Sequence, residues 1–229
     1  MQMHYEIHGK SFSLVIKDLA PQYHQVVQNT GYTLTDEGFV CTIVPPDAAS
    51  LQPAYLDKII VNAQQTMEVL LSQRAGLTPV PWEEALLKYL ALIEEHDINW
   101  WLVGSTALAV RGLDVHPGDI DLCTSEVDAL KVQNLLIDYV IQPLEDATGW
   151  AGKWFGRSFP GARLEWIGGV NASVDAEQIT DFGPIAQARM ETIQWRGYEI
   201  GVPPLDLQWD VSVRRGLTDR AEKIRQAMR

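Results

Sequence analysis

Only two cysteines, Cys41 and Cys123, occur in 229 residues. They cannot build a disulfide framework or a four-cysteine zinc site, and they fit reduced thiols in a cytoplasmic protein. No apolar run approaches the roughly 20 residues needed to span a bilayer. The opening MQMHYEIHGK has no basic stretch followed by an apolar one, so neither a membrane span nor a signal peptide is expected. Basic side chains are scarce: 18 Lys and Arg stand against 30 Asp and Glu, a net charge of −12. Nucleic-acid backbones are gripped by Lys and Arg, so this deficit argues against a broad nucleic-acid-binding face. The patterns H-E-x-x-H, C-x-x-C and G-x-S-x-G are also missing, which leaves zinc hydrolysis, thiol redox chemistry and serine esterase chemistry without support. Nor is the stretch around Lys153 a Walker A loop, because Ala147 and Trp154 stand where that loop needs Gly and Ser or Thr.

What remains is an ordinary globular composition, 46% hydrophobic and 21% charged, in a chain long enough to bury a real core. Pro79 and Pro81 punctuate LTPVPW and place a boundary there. Residues 1–80 read as a small β-rich unit: HYEIHG and SFSLVIKDL alternate like strands, and two more strands flank Asp36-Glu37-Gly38. A helix opening at Pro53 and stopping near Gly76 closes the unit. No chemical motif lies in it. Residues 81–229 carry 23 of the acids and 14 of the bases. They read as a helix from Trp82, a buried strand Trp100–Val103, a turn at Gly104-Ser105 and a helix from Thr106. DIDLC then reads as a strand, VDALKVQNLLIDYV as a helix, and residues 154–159 and 162–167 as strands around Pro160-Gly161. A hairpin at Arg196-Gly197 and two helices from about Leu205 and Thr218 complete the chain. The fold class expected is α/β (α+β): a small mixed sheet flanked by helices, with an N-terminal β-rich extension and C-terminal helices.

The chemistry concentrates in VGSTALAVRGLDVHPGDIDL. Thirteen residues separate Ser105 from Asp119. On a strand, Asp119 and Asp121 project from one face and Ile120 from the other. Adjacent carboxylates repel unless a cation lies between them. Mg²⁺ suits such a place, since it prefers oxygen ligands and sits between carboxylates and phosphates. Gly104 lets a phosphate approach the backbone, and Ser105 offers a hydroxyl and an N–H. On ARLEWIGG, Arg163, Glu165 and Ile167 share a face opposite Leu164 and Trp166. Glu165, an acid within an apolar strand, needs a partner: a shared metal, or an ion pair with Arg163. Asp175 is the alternative third carboxylate.

Gly-Ser, a spacer of about a dozen residues, Asp-x-Asp and a later acid on a neighbouring strand resemble the DNA polymerase beta-like nucleotidyltransferases. Within them, helix–WWLVGS–helix–DIDL–helix is most similar to the small bacterial antibiotic nucleotidyltransferases that act on aminoglycosides and lincosamides. The resemblance covers roughly residues 82–229. It implies an enzyme that moves a nucleoside monophosphate from an NTP, ATP being favoured, to a hydroxyl of a small molecule. Asp119, Asp121 and Glu165 would be the catalytic, metal-holding carboxylates for two Mg²⁺ ions. Gly104 and Ser105 would hold the triphosphate, and Lys153, Arg157 and Arg163 could neutralise it. Alternatives within the same resemblance are nucleotidylation of a protein or a tRNA, as by toxin-antitoxin partners, and a module that has lost catalysis. Arg214, Arg215, Arg220 and Lys223 either reach the nucleotide or, the favoured reading, form a solvated helix face; Trp150, Trp154 and Trp166 either line an acceptor or base pocket by stacking or, the favoured reading, are core. The acidic surface favours a small cationic acceptor over RNA. Neither the acceptor nor the oligomeric state is fixed by the sequence.

Overall fold

The computed structural model describes residues 1–229. The chain opens with β1 (Gln2–His8), β2 (Ser11–Lys17), the short α1 (His24–Gln28), β3 (Thr33–Thr35) and β4 (Gly38–Ile43). These strands form one antiparallel sheet in the order β1-β2-β4-β3. α2 (Pro53–Arg74) lies over it, because Leu56, Ile59, Ala63, Met67 and Leu70 recur at helical spacing and are buried. No helix of the chain is long and apolar enough to cross a membrane.

After Pro81 come α3 (Trp82–Ile93), β5 (Trp100–Val103), α4 (Gly104–Val110), β6 (Ile120–Thr124) and α5 (Glu126–Leu135). The strands β7 (Val140–Asp146), β8 (Gly152–Ser158) and β9 (Leu164–Val170) follow. Then come the single-turn α6 (Pro184–Gln187), the hairpin β10 (Glu191–Trp195) and β11 (Tyr198–Val202), and α7 (Leu205–Arg214) and α8 (Thr218–Ala227). The main sheet has the order β5-β6-β9-β8-β7, with β6 and β9 parallel and every other neighbour antiparallel. This is the small mixed sheet with flanking helices that the sequence predicts.

The two faces of the sheet differ. Leu102, Ile120, Leu122, Leu164 and Trp166 point to one side and join Leu86, Tyr89, Ala129 and Val132 of α3 and α5 in the core. Trp166 is fully buried, and its indole donates to the Ala129 carbonyl at 3.3 Å. Trp101, Val103, Asp121, Cys123, Glu165 and Ile167 occupy the other face by the period-2 alternation of strands. α5 starts cleanly because the Ser125 hydroxyl caps it, accepting from the Asp128 backbone N–H at 3.1 Å.

Three expectations change. The helix predicted through Val140 stops at Leu135, and β7, which the sequence does not suggest, follows it. Gln142, Pro143 and Glu145 hide this strand by breaking its alternation, and its pairing with β8 carries two register irregularities. A proline is tolerable on an edge strand. β8 and β9 also run from Gly152 and to Val170, outside the expected 154–159 and 162–167. Phe159 leaves the sheet for the N-terminal core. Gly168 and Gly169 prolong β9, since a Cβ on Gly168 would meet the Ala129 Cβ at 2.3 Å and only glycine lets α5 lie so close.

The boundary at Pro79–Pro81 separates two sheets that share one helix. Ile141 and Phe159 join the N-terminal core, and the Asn62 amide of α2 donates to the Ile137 and Val140 carbonyls at 3.0 and 2.9 Å. The core on the far side of the main sheet leaves little slack: a Cβ on Gly156 would fall 2.5 Å from the Trp166 ring. Gly156→Ala is expected to destabilise the chain by about 1–3 kcal/mol. Urea unfolding checks this, and an unchanged midpoint would contradict it.

Candidate active site

The parallel register of β6 and β9 sets Asp121 opposite Glu165. Val103 stands beside Asp121 on β5, and Arg157 beside Glu165 on β8. Asp119, one residue before β6, shares their face, and the Thr106 hydroxyl of α4 fixes its backbone by donating to the Asp119 carbonyl at 2.7 Å. The result is a triad: one carboxylate oxygen from each of Asp119, Asp121 and Glu165 lies within 4.8 Å of the others.

Arginines answer part of this charge. Arg163, largely buried, bridges Asp119 and Glu165, reaching Glu165 at 3.1 Å. Arg157 donates to Glu165, to the Gln142 side chain, and to the Thr30 carbonyl at 2.8 Å. Arg74, from the end of α2, donates to Asp119 at 3.1 Å. Asp121 is treated differently. Burial pushes it up to about 7, Asp119 and Glu165 push in the same direction, and Arg163 opposes them; no hydrogen bond contributes. A half-buried carboxylate between two others, with no donor of its own, is a place that fits a hard divalent cation.

Gly104 meets Asp121 edge to edge. Its φ is +65°, and a Cβ there would lie 2.8 Å from the Asp121 Oδ2. Both facts demand glycine at the strand-to-helix turn. The Gln208 amide of α7 donates to the Gly104 carbonyl at 3.0 Å and ties the C-terminal helices to that turn.

A cavity of about 610 Å³ opens beside the triad. Gly104, Asp121 and Glu165 line it together with the apolar Val103, Cys123, Phe155 and Ile167, and Asp181, Arg214 and Arg215 line it as well. This volume suits a ligand of nucleotide size. The C-terminal arginines are thus not simply the solvated helix face expected: Arg214 and Arg215 line the cavity. Arg214 is anchored there to Gln178 at 2.7 Å and to the Ile179 carbonyl. Lys223 does keep to the surface, paired with Asp219 at 3.0 Å.

The remaining candidates fall in different places. Ser105 is half-buried at the start of α4. Lys153 does not line the cavity; its ammonium pairs with Asp146 at 3.6 Å and lies over the Trp154 ring. Asp175 is remote from the triad in role: it holds its own loop, accepting from the Thr180 N–H and hydroxyl, both at 2.8 Å, and from the Ile185 N–H at 3.0 Å. Of the tryptophans, Trp166 is core, while Trp150 is exposed and lines the cavity instead.

Sequence reasoning missed Asp181. Burial raises its carboxyl from the ordinary range, while Arg220, Arg215 and Arg214 pull it down. It lies in an irregular segment with no periodicity to mark it; only the arginine-rich end of α7 hinted that an acid should face it.

No family model matches the chain, and no curated protein does. Solved structures are similar to it in fold. One is a protein from Thermotoga maritima provisionally described as a nucleotidyltransferase, 20% identical, covering 62% of this chain and 89% of that one with a TM-score of 0.48. Another is ANT(2″)-Ia in complex with adenylyl-2″-tobramycin, 13% identical, covering 63% and 87% with a TM-score of 0.45.

The electrostatics of Asp121 make a pH prediction. Its pKa rises from 3.8 in the unfolded chain to about 7 in the folded one. The folded state holds this proton more tightly, so the stabilisation is present at low pH and is lost as pH rises through the folded value. In divalent-free buffer, Asp121→Asn should raise the melting temperature at about pH 8 and change it little at about pH 4, close to the unfolded value. Thermal scans at both pH values check this, and equal shifts would contradict it.

Proposed function

We propose that this chain is a metal-dependent nucleotidyltransferase, moving a nucleoside monophosphate from an NTP to a hydroxyl of a small molecule. One observation carries the reading: three carboxylate oxygens converge within 4.8 Å, one of them on an acid without a donor, at the edge of a nucleotide-sized cavity. Asp119, Asp121 and Glu165 would hold two Mg²⁺ ions. Bound there, such ions would neutralise phosphate oxygens and ease loss of the acceptor's proton.

The chain's own groups account for the rest of the proposal. Gly104, bare of a side chain, leaves the backbone beside Asp121 open to a phosphate. Ser105, next in line, offers its hydroxyl to the outer phosphates. Arg214 and Arg215 line the cavity with charge that attracts the triphosphate and steadies departing pyrophosphate. Trp150 and Phe155 offer aromatic surface on which a base can stack. Lys153, held by Asp146, is left out of this assignment.

ATP is the favoured donor. The acceptor we propose is a small polycation rich in hydroxyls, of the aminoglycoside or lincosamide kind, working in the cytoplasm. Its support is the net charge of −12, which draws cations to the surface and repels RNA.

Incubating the chain with Mg²⁺, each labelled NTP and a panel of hydroxyl acceptors should release pyrophosphate and label one acceptor class. Asp121→Asn should cut the rate by about a hundredfold or more, the scale on which lost transition-state charge stabilisation is felt. No labelling with any pair of substrates would sink the reading. Label appearing in a protein or tRNA would move the acceptor to a macromolecule.

A further inference from the structure

α2 belongs to the N-terminal sheet, yet its last turn reaches the triad. The Gln73 amide donates to the Gly161 carbonyl at 3.0 Å, in the loop that leads into β9. The Arg74 guanidinium donates to the Asp119 Oδ2 at 3.1 Å, just before β6. Two consecutive residues thus touch both chain segments from which the carboxylates set out.

The three arginines around the triad are not equivalent. The Arg163 side chain is 8% exposed and bridges two carboxylates. Arg157 is 15% exposed and holds Glu165, Gln142 and the Thr30 carbonyl together. Arg74 is 30% exposed, and Asp119 is its one hydrogen-bonding partner. Moving Arg163 or Arg157 would leave buried polar groups unpaired, which is costly. Moving Arg74 leaves Asp119 still paired with Arg163, and lets the guanidinium pass to water. A divalent cation entering among three guanidinium groups meets like-charge repulsion, and that repulsion falls on the group held least firmly.

We propose that Arg74 is an exchangeable counter-ion: it occupies Asp119 until a divalent cation binds the triad, and cation binding breaks this tie between the N-terminal sheet unit and the carboxylates. The inference rests on the metal-dependent reading above, and it gives residues 1–80 a part in metal binding.

The test uses the full chain with Mn²⁺ alone, free ion being read by electron spin resonance. Arg74→Gln should bind the ion about three- to tenfold tighter than the parent chain, the scale set by removing a positive charge a few ångströms from a divalent ion in a partly solvated site. Arg74→Lys should bind like the parent. If the parent binds and Arg74→Gln binds no tighter, the counter-ion role is wrong while the metal site stands. If neither binds, the metal reading falls and the counter-ion role falls with it. Hydrogen exchange of the parent chain gives a check that needs no variant: Mn²⁺ should speed exchange at the end of α2, around Gln73 to Gly76. Slower or unchanged exchange there with the ion bound would overturn the proposal.

Discussion

Like charges placed side by side on one sheet face govern the centre of this molecule. A parallel pairing of β6 with β9 puts Asp121 against Glu165, and the Asp-x-Asp spacing adds Asp119 to the same face. Carboxylates this close oppose folding unless something answers them. Arg163 and Arg157 answer two of the three from within the sheet. The third, Asp121, is left to hold a proton or a cation, and is held against Gly104, where no other residue would fit. The left-handed glycine turn, the paired arginines and the raised carboxyl are therefore consequences of one arrangement of strands.

That arrangement could be read from the sequence because it is local. Strand alternation places Asp119 and Asp121 together without knowledge of the fold, and Gly104-Ser105 marks the turn between a short apolar run and a helical one. The face of β9 was legible for the same reason: Arg163, Glu165 and Ile167 alternate with Leu164 and Trp166. The ion pair of Glu165 with Arg163 and its place in the triad, open as alternatives in the sequence, are both present, because one guanidinium reaches two carboxylates at once.

What the sequence concealed depends on distant parts of the chain. β7 lost its signature because Pro143 and Gln142 sit within it, and it is stabilised by Asn62 of α2, some 80 positions away. Asp181 carries no pattern of its own and matters only because the end of α7 and the start of α8 bring Arg214, Arg215 and Arg220 near it. Arg214 and Arg215 look like any charged helix end until the Gln208–Gly104 bond turns that helix toward the cavity. Lys153, which its sequence neighbours link to a phosphate, stands outside the cavity lining, beside Asp146 at the end of β7.

Both parts of the chain are acidic, the N-terminal one with 7 acids and 4 bases, so local contacts and not overall charge hold the N-terminal unit where it sits. Residues 82–229 hold 23 acids and 14 bases, so that part alone cannot neutralise itself. Residues 1–81 have four bases, and two of them make ion pairs across the boundary: Lys58 with Asp138 and Arg74 with Asp119. The first is exposed and contributes little. The second touches the triad, where three carboxylates concentrate the excess. Apolar packing joins the units in both directions: Ile141 and Phe159 enter the N-terminal core, and Ile59 of α2 enters the main one. In this placement of α2 the Arg74 guanidinium reaches Asp119 while Gln73 holds the loop before β9. An acidic centre that must stay able to accept cations is served better by a removable base from a neighbouring unit than by one more arginine fixed in its own sheet.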